Sequence, residues 1–238
     1  MTESIDTWLP RLRDGALALG LDLSEGTLRQ LLSHMALIER WNKAYNLTAV
    51  RDRSAMLTQH LLDSLAVVPA LRRHLAAKSP ASTGPADSMA EGETTTRIRL
   101  LDVGSGAGLP GAVLAAVEPR WSVTCVDAVG KKAIFIRQVA AELGLPNLQA
   151  LHARIEQVLD PAGFDLVTSR AFASLADFVT LTEHLVAPPG CWMAMKGRAP
   201  DDEIAALPTS VEVFHVEPIS VPGLDAQRCL IWLKRRTV

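Results

Sequence analysis

The chain has 238 residues, 48% of them hydrophobic, and a formal net charge of −2. A chain of this length can bury one sizeable core, and its small net charge excludes a strongly basic protein that binds nucleic acid through its overall field. No apolar stretch approaches the roughly 20 residues of a membrane span, and the N-terminus lacks the basic-then-apolar pattern of a signal peptide. We expect a cytoplasmic monomer with no membrane contact.

The first 78 residues predict a small N-terminal helical region. Apolar residues recur at helical spacing in three stretches, 8–19, 28–41 and 57–68. Ser24 is the predicted N-cap of the second helix, and Pro69 is expected to end the third helical stretch. Residues 79–97 are rich in Ser, Thr, Gly, Pro and Ala, a composition that predicts a flexible linker.

Residues 98–238 predict an α/β domain, because short apolar runs alternate with helical segments. The predicted strands are 98–103, 122–127, 148–152, 164–169 and 191–196. The predicted helices are 110–117, 131–143, 155–159 and 175–185. This alternation indicates a parallel sheet covered on both faces, and the final pair of strands, 211–216 and 227–233, predicts an antiparallel hairpin at its edge.

The three cysteines, Cys125, Cys191 and Cys229, are each flanked by apolar residues. None belongs to a Cys-x-x-Cys pair or shares a metal-type spacing with a histidine. We interpret them as small buried apolar side chains, and we expect no metal site.

A glycine-rich turn, LDVGSGAGLPG at 101–111, joins the first predicted strand to the helix that follows it. In an open α/β sheet, ligands bind beyond the carboxyl ends of the strands, and the first strand-to-helix turn is the usual place. Gly104, Gly106 and Gly108 permit a tight turn and close approach of a ligand, while Pro110 suits the first turn of a helix. The turn therefore predicts a ligand site.

Two carboxylates favour S-adenosyl-L-methionine as the ligand. Asp102 near the end of the first strand is expected to face the pocket, where it is unfavourable beside a pyrophosphate and favourable near an ammonium or sulfonium group. Asp127 ends the second strand and can accept hydrogen bonds from both hydroxyls of a ribose. Gly106, Gly108 and Gly111 also match the dinucleotide pattern GxGxxG, so an NAD(P) site remains the alternative.

Several further segments carry a resemblance to a known family. LDVGSGAGLPG, VDAVGKKAIFIRQV, ARIEQV, FDLVTSRAFASL and MKG, with YNLTAVRD and HLLDS upstream, resemble the bacterial RsmG (GidB) family of 16S ribosomal RNA guanine-N7 methyltransferases. The resemblance spans about residues 38–197 apart from the linker, which is longer than the family leads us to expect. It implies a Rossmann-like class I methyltransferase domain at 98–238. It also implies methyl transfer from S-adenosyl-L-methionine to guanine N7, with 16S ribosomal RNA or the small ribosomal subunit as partner.

The resemblance also implies cofactor contacts at Gly104, Leu109, Ile155, Glu156 and Arg170. Ile155 and Glu156 follow the third predicted strand, where a backbone amide and a carboxylate can recognise an adenine edge. Arg170 can hold either the methionine carboxylate or a phosphate of the target, and both roles stay open. The whole predicted cofactor-binding set is Asp102, Gly104, Ser105, Gly106, Gly108, Leu109, Asp127, Ile155, Glu156 and Arg170.

The sequence lacks the residues that two other kinds of base methylation use. None of the cysteines sits in an activated loop for carbon methylation, and SRAF stands where amine methylation commonly uses an Asn/Asp-Pro-Pro-aromatic loop. Guanine N7 already presents an in-plane lone pair and needs no general base. Arg170 and Lys196 are the predicted catalytic residues, acting by positioning, while Phe172 either stacks on the base or packs in the core.

The upstream motifs supply further predicted contacts with the target, because YNLTAVRD is polar and resembles a loop over the pocket. The predicted substrate-binding set is Asn46, Arg51, Phe172 and Lys196. Other polar residues of these motifs are interpreted mainly as a buried hydrogen-bond network: Thr48, Asp63 and Ser64. His60 stays open between the two roles.

Local basic clusters are the candidates for RNA contact, and binding should weaken steeply with salt if several converge on one rim. They are Arg51 with Arg53, Arg72 with Arg73, Lys131 and Lys132 with Arg137, Lys196 with Arg198, and 234–236.

Functions of other classes remain open, namely an NAD(P)-dependent oxidoreductase and a non-catalytic S-adenosylmethionine-binding module. Methylation of a small molecule would keep the fold and change the substrate.

Overall fold

The computed structural model describes residues 5–76, 97–170, 172 and 174–236. Residues 79–96 of the predicted linker lie outside this part of the chain. The division into 1–78, 79–97 and 98–238 therefore stays a prediction.

The N-terminal region is helical, as its apolar spacing predicts. Its elements are α1 (Ile5–Ala18), α2 (Glu25–Tyr45), α3 (Arg53–Met56), a π-helical turn (Leu57–Leu62), α4 (Asp63–Leu65) and α5 (Val68–Ala76). Ser24 is confirmed as the N-cap of α2, because its hydroxyl accepts a hydrogen bond from the Thr27 amide at 3.1 Å. The prediction that Pro69 ends a helix is wrong. Pro69 lies in the first turn of α5, where its missing N–H is not needed.

The seven strands form one sheet in the order β3-β2-β1-β4-β5-β7-β6. They are β1 (Arg99–Val103), β2 (Ser122–Asp127), β3 (Leu148–His152), β4 (Phe164–Ser169), β5 (Val186–Lys196), β6 (Val211–Ile219) and β7 (Arg228–Arg235). The first five are parallel, and β7 is antiparallel to both β5 and β6. The predicted parallel sheet with a C-terminal antiparallel hairpin is thereby confirmed.

Helices cover both faces of the sheet. The remaining helices are α6 (Gly111–Val117), α7 (Gly130–Leu143), α8 (Leu175–Thr182) and α9 (Asp201–Ala205). The predicted helix at 155–159 is only a 3-10 turn, Ile155–Gln157, and α9 was missed. Among the described residues, no helix combines the length and apolarity that crossing a membrane requires.

The N-terminal helices share a core with the sheet. Leu61 and Leu65 of the helical region belong to the same buried apolar cluster as Met193 and Trp232 of the sheet. Helix α2 packs on α6 and α7, and α4 packs on α6. The helical region is therefore one layer of the fold and reaches the edge of the sheet where the parallel strands end.

The carboxyl edge of the sheet gathers residues from distant parts of the chain. Val103, Asp127, Ser169 and Lys196 end β1, β2, β4 and β5. Because β7 runs antiparallel to β5, with Lys196 opposite Cys229, the N-terminal residue of β7, Arg228, lies at the same edge. All five residues therefore border the crevice in which ligands of such sheets bind.

Candidate active site

The glycine turn adopts the backbone conformation that its sequence predicts. Gly104, Gly106 and Gly108 have φ of 67°, 57° and 73°, values that L side chains rarely adopt. No atom lies within 4 Å of the position that a Cβ would occupy at Gly104, so the backbone there faces open space. The Gly104 amide donates to the carbonyl of Val126 at 2.9 Å, which fixes the turn against the end of β2.

Asp127 ties the glycine turn to the end of the second strand. Its Oδ2 accepts a hydrogen bond from the Gly106 amide at 3.0 Å, and its Oδ1 accepts one from the Val129 amide at 2.9 Å. The Lys132 ammonium lies 3.7 Å from Oδ2. The carboxylate lies between two turns at the predicted end of the second strand, and its contact with a ribose stays a prediction.

Asp102 does not face the pocket, and that prediction is wrong. Its side chain is fully buried, because Oδ2 turns beneath the loop to accept a hydrogen bond from the first amide of α6, that of Gly111, at 2.9 Å. Oδ1 has no partner among the described residues. Burial raises the pKa of Asp102 to about 7, against the opposing effect of the Gly111 hydrogen bond. The carboxyl group supports the loop from below.

Other predicted cofactor residues surround the loop in two ways. Ser105 and Leu109 are buried within it, so only their backbone is available to a ligand. Ile155 is buried in the turn after β3, and Glu156 beside it is exposed. His34 of α2, which the sequence analysis missed, places Nε2 2.9 Å from the carbonyl oxygen of Ala107, so the helical layer braces the loop.

On the other side of the crevice, Asp63 carries two arginines. Arg170, just after β4, lies with Nη1 3.5 Å from Oδ2 of Asp63 and donates to the carbonyl of Gln59 at 3.1 Å. Arg228 donates from Nε to Oδ1 of Asp63 at 2.8 Å. The Asp63 side chain is only 3% exposed, so one buried carboxylate holds two guanidinium groups, one just after β4 and one at the start of β7.

These residues line a cavity of about 400 Å³, which we call the arginine cavity. Its lining consists of Gln59, His60, Asp63, Arg170, Met195, Lys196, Gly197 and Arg228. The lining carries three cationic side chains and one carboxylate, and one positive charge is still in excess when Glu203, which pairs with Lys196, is counted. Such an excess of positive charge in a crevice favours an anionic ligand.

Lys196 is held at the cavity by a helix that the sequence analysis missed. Its ammonium lies 2.8 Å from Oε2 and 3.1 Å from Oε1 of Glu203 in α9. Oε2 of Glu203 also accepts a hydrogen bond from the Leu175 amide at the start of α8. The lysine is therefore fixed between two helices at the end of β5.

The π-helical turn presents His60 to the cavity. Nε2 of His60 lies 3.0 Å from the hydroxyl of Thr48, and the hydroxyl of Ser64 is buried without a partner among the described residues. Burial lowers the pKa of His60, and the charge of Arg170 lowers it further. The imidazole is therefore neutral at neutral pH. Of the residues interpreted as a buried network, Asp63 is buried and bound to the sheet through Arg228, Thr48 contacts His60, and Ser64 has no partner among the described residues.

Asn46, Arg51 and Phe172 lie elsewhere than in the arginine cavity. Asn46 caps α2 in a left-handed conformation, and its Oδ1 accepts a hydrogen bond from Arg51 at 3.0 Å on the exposed surface. Phe172 is half-buried and packs on Phe178 with ring centroids 5.6 Å apart. Their predicted contacts with a target stay predictions.

Comparison with known proteins identifies the family. A family model described as GidB, rRNA small subunit methyltransferase G, matches residues 27–77 and 86–231. The chain belongs to this family. A ribosomal RNA small subunit methyltransferase G from Methylibium petroleiphilum is 59% identical over 225 residues, which are 94% of this chain and 93% of that protein. A protein of the same name from Acidovorax sp. is 56% identical over 223 residues, with the same coverage of each chain.

Membership of the GidB family confirms the resemblance drawn from the sequence motifs. Among solved structures, TrmN from Thermus thermophilus is similar over 99% of this chain and 81% of its own, at 17% identity and a TM-score of 0.49. A TM-score below 0.5 at this identity gives no information about the function of this chain. The family match covers both the helical layer and the sheet, so both sides of the crevice fall within it.

Proposed function

We propose that the protein transfers a methyl group from S-adenosyl-L-methionine to N7 of a guanine in 16S ribosomal RNA. One observation carries the proposal. A glycine turn held by Asp127 and a cavity lined by three cationic side chains share one edge of the sheet. Membership of the rRNA small subunit methyltransferase G family supports this class of substrate.

The residues on the glycine side fit the methyl donor. The open space at Gly104 lets a ligand approach the backbone closely, and Asp127 offers carboxylate oxygens at the position for a ribose. Exposed Glu156 and the backbone at Ile155 are available to an adenine edge. When bound, S-adenosylmethionine supplies an electrophilic methyl group on a positively charged sulfur.

The residues on the arginine side fit a nucleotide. Arg170, Lys196 and Arg228 can bind phosphate oxygens or O6 of guanine, and an arginine can do so with two parallel hydrogen bonds. N7 bears a lone pair in the plane of the ring and no proton, so methylation needs no base. Neutral His60 and arginine-bound Asp63 are therefore not required to remove a proton. The chain contributes alignment and exclusion of water, which are worth up to roughly 7–11 kcal/mol in favourable cases.

The oxidoreductase alternative depends on Gly111, the third glycine of the dinucleotide pattern. A dinucleotide site would bring the third glycine, Gly111, against helix and strand beneath a pyrophosphate. A Cβ at Gly111 would lie 2.4 Å from Sγ of Cys125 and 2.8 Å from Oδ2 of Asp102. This close packing is also what a dinucleotide loop requires of its third glycine, so the family match, and not the loop, disfavours the oxidoreductase.

Methyl transfer to isolated small ribosomal subunits tests the proposal. Subunits that lack the modification are incubated with tritiated S-adenosylmethionine, and the labelled nucleoside is identified after digestion. We expect label in 7-methylguanosine with the wild type and almost none with Asp127→Ala. Donor binding without any incorporation would favour a non-catalytic binding module, and binding of NADH at the loop would favour the oxidoreductase.

A further inference from the structure

A second cluster of polar side chains lies away from the crevice, between α5 and the edge strand β6. Nε2 of His74 is 3.7 Å from Oε1 of Glu217, and Nε2 of His215 is 4.0 Å from Oε2 of the same residue. One ligand atom from each of the three residues lies within 4.8 Å of the others. None of the three lines the arginine cavity. We call this group the histidine-glutamate cluster.

The register of β6 explains why these side chains meet. The pairing of β6 with β7 shifts between Val213 and His215, so Phe214 is an extra residue in the strand. Beyond this bulge, His215 lies opposite Trp232 and Glu217 lies opposite Leu230. Residues two apart on a strand face the same side, and bulges commonly redirect side chains at functional positions.

Neighbouring groups hold the cluster in place. The indole of Trp232 donates to Oε1 of Glu217 at 3.0 Å, and its ring centroid lies 4.0 Å from that of His74. A hydrogen bond from a neighbour to a ligating carboxylate is a common outer-shell feature of metal sites. Arg73 lies 2.6 Å from Oε2 of Glu217, with a side chain that is 60% exposed. It is the cation that a metal ion would displace, and its exposure lets it turn into solvent.

We propose that the histidine-glutamate cluster binds a divalent transition-metal cation, with Zn²⁺ as the best fit. Two imidazoles and one carboxylate form a donor set known for zinc, with water in the fourth position. Ligands at about 2.1 Å around a tetrahedral ion are about 3.4 Å apart, so movements of roughly 1 Å bring these atoms into place. The ion would join α5 to β6. Sequence spacing could not reveal the site, because its ligands lie on elements far apart in the chain.

Metal titration of the untagged, full-length chain tests the proposal. After treatment with a chelator, Zn²⁺ affinity is measured by competition with an indicator, and Co²⁺ absorption reports the geometry. The wild type should bind one equivalent at the cluster. We expect His215→Asn and Glu217→Gln to weaken this binding at least tenfold and to abolish the rise in Tm that Zn²⁺ produces.

Matched controls separate the cluster from other donors. His184→Asn removes a histidine that lies near Val158, and Glu212→Gln removes a glutamate on the same strand that pairs with Lys234. Both controls should bind like the wild type. Equal Tm values of the wild type and His215→Asn in the presence of chelator show that the variant, changed at an exposed position, folds normally.

Two results would overturn the proposal: a wild-type chain that binds no Zn²⁺, or a His215→Asn variant that binds Zn²⁺ with unchanged affinity. Methyl transfer should be unaffected in both cluster variants, so this test is independent of the proposed function.

Discussion

The two sides of the crevice are built in different ways. On the glycine side, backbone amides and two carboxylates form a turn whose shape depends on small residues at 102–111 and on Asp127. On the arginine side, long cationic side chains from the residue after β4, the end of β5 and the start of β7 border one cavity with Asp63. Under the proposed function, donor binding depends on the path of the backbone, and binding of the target depends on positioned charge. Substitutions should therefore separate the two functions.

The largest effect should come from Asp102→Asn, beneath the glycine turn. The pKa of Asp102 is about 7 in the folded protein, so the carboxyl group keeps its proton up to that pH, whereas in the unfolded chain it loses the proton near its ordinary pKa of 3.8. The contribution of Asp102 to wild-type stability should therefore fall as pH rises from about 4 to about 7, by on the order of 3 kcal/mol. The asparagine variant should lack this decrease. Urea unfolding of both proteins at pH 4.5 and pH 7.5 measures the difference. The same change in unfolding free energy between the two pH values in both proteins would contradict a buried, protonated acid at this position.

Next in size is the effect of Asp127→Ala on donor affinity. The variant loses the acceptor for the Gly106 and Val129 amides and for a ribose, and hydrogen bonds to a charged group contribute about 1.5–3 kcal/mol. We expect the Kd for S-adenosylmethionine to rise about 100-fold. The Kd of Asp127→Asn should lie between those of the wild type and Asp127→Ala. Calorimetry measures the change. A donor affinity unchanged by the alanine would remove Asp127 from the donor site.

On the arginine side, Asp63→Asn should destabilise the fold by about 2 kcal/mol, less than for a fully buried pair because both arginines are partly exposed. It should also raise KM for the ribosomal substrate and leave donor affinity unchanged. Ser64→Ala is the matched control, because that buried hydroxyl has no partner among the described residues. Equal unfolding free energies for the two variants would contradict the role of Asp63.

The smallest effect should come from Arg228→Gln. Loss of one cation should raise KM for the ribosomal substrate and so lower kcat/KM by about tenfold. It should also reduce the slope of log affinity against log salt concentration by about one. Arg13→Gln, at an exposed arginine that pairs with Glu25 and lies outside the basic clusters, should change neither. A slope that stays the same in Arg228→Gln would exclude a phosphate contact at this residue.

The same contrast explains which features the sequence could predict. One short segment contains Gly104, Gly106 and Gly108, and Asp127 ends the next strand. Local sequence patterns were therefore enough to predict that these residues form one site. Strand periodicity did not show that the side chain of Asp102 would turn beneath the loop toward the amide of Gly111. That orientation depends on how the loop closes over the strand end.

Arg228 and Glu203 carried no comparable signal. Arg228 lies at the carboxyl edge of the sheet only because β7 runs antiparallel to β5. The place of β7 in the sheet depends on tertiary packing, which local sequence patterns do not show. Glu203 lies in a helix of five residues, too short for its periodicity to be recognised. His74 and His215 are likewise brought together by packing and by a bulge in β6.

A crystal structure of the protein with S-adenosylhomocysteine tests most directly the claim that donor and target occupy adjoining sides of one crevice. We predict that its ribose hydroxyls contact Asp127 and that its sulfur faces the arginine cavity. A ligand whose sulfur points away from Arg170, Lys196 and Arg228, or a glycine turn that stays empty at saturating concentration, would contradict the account.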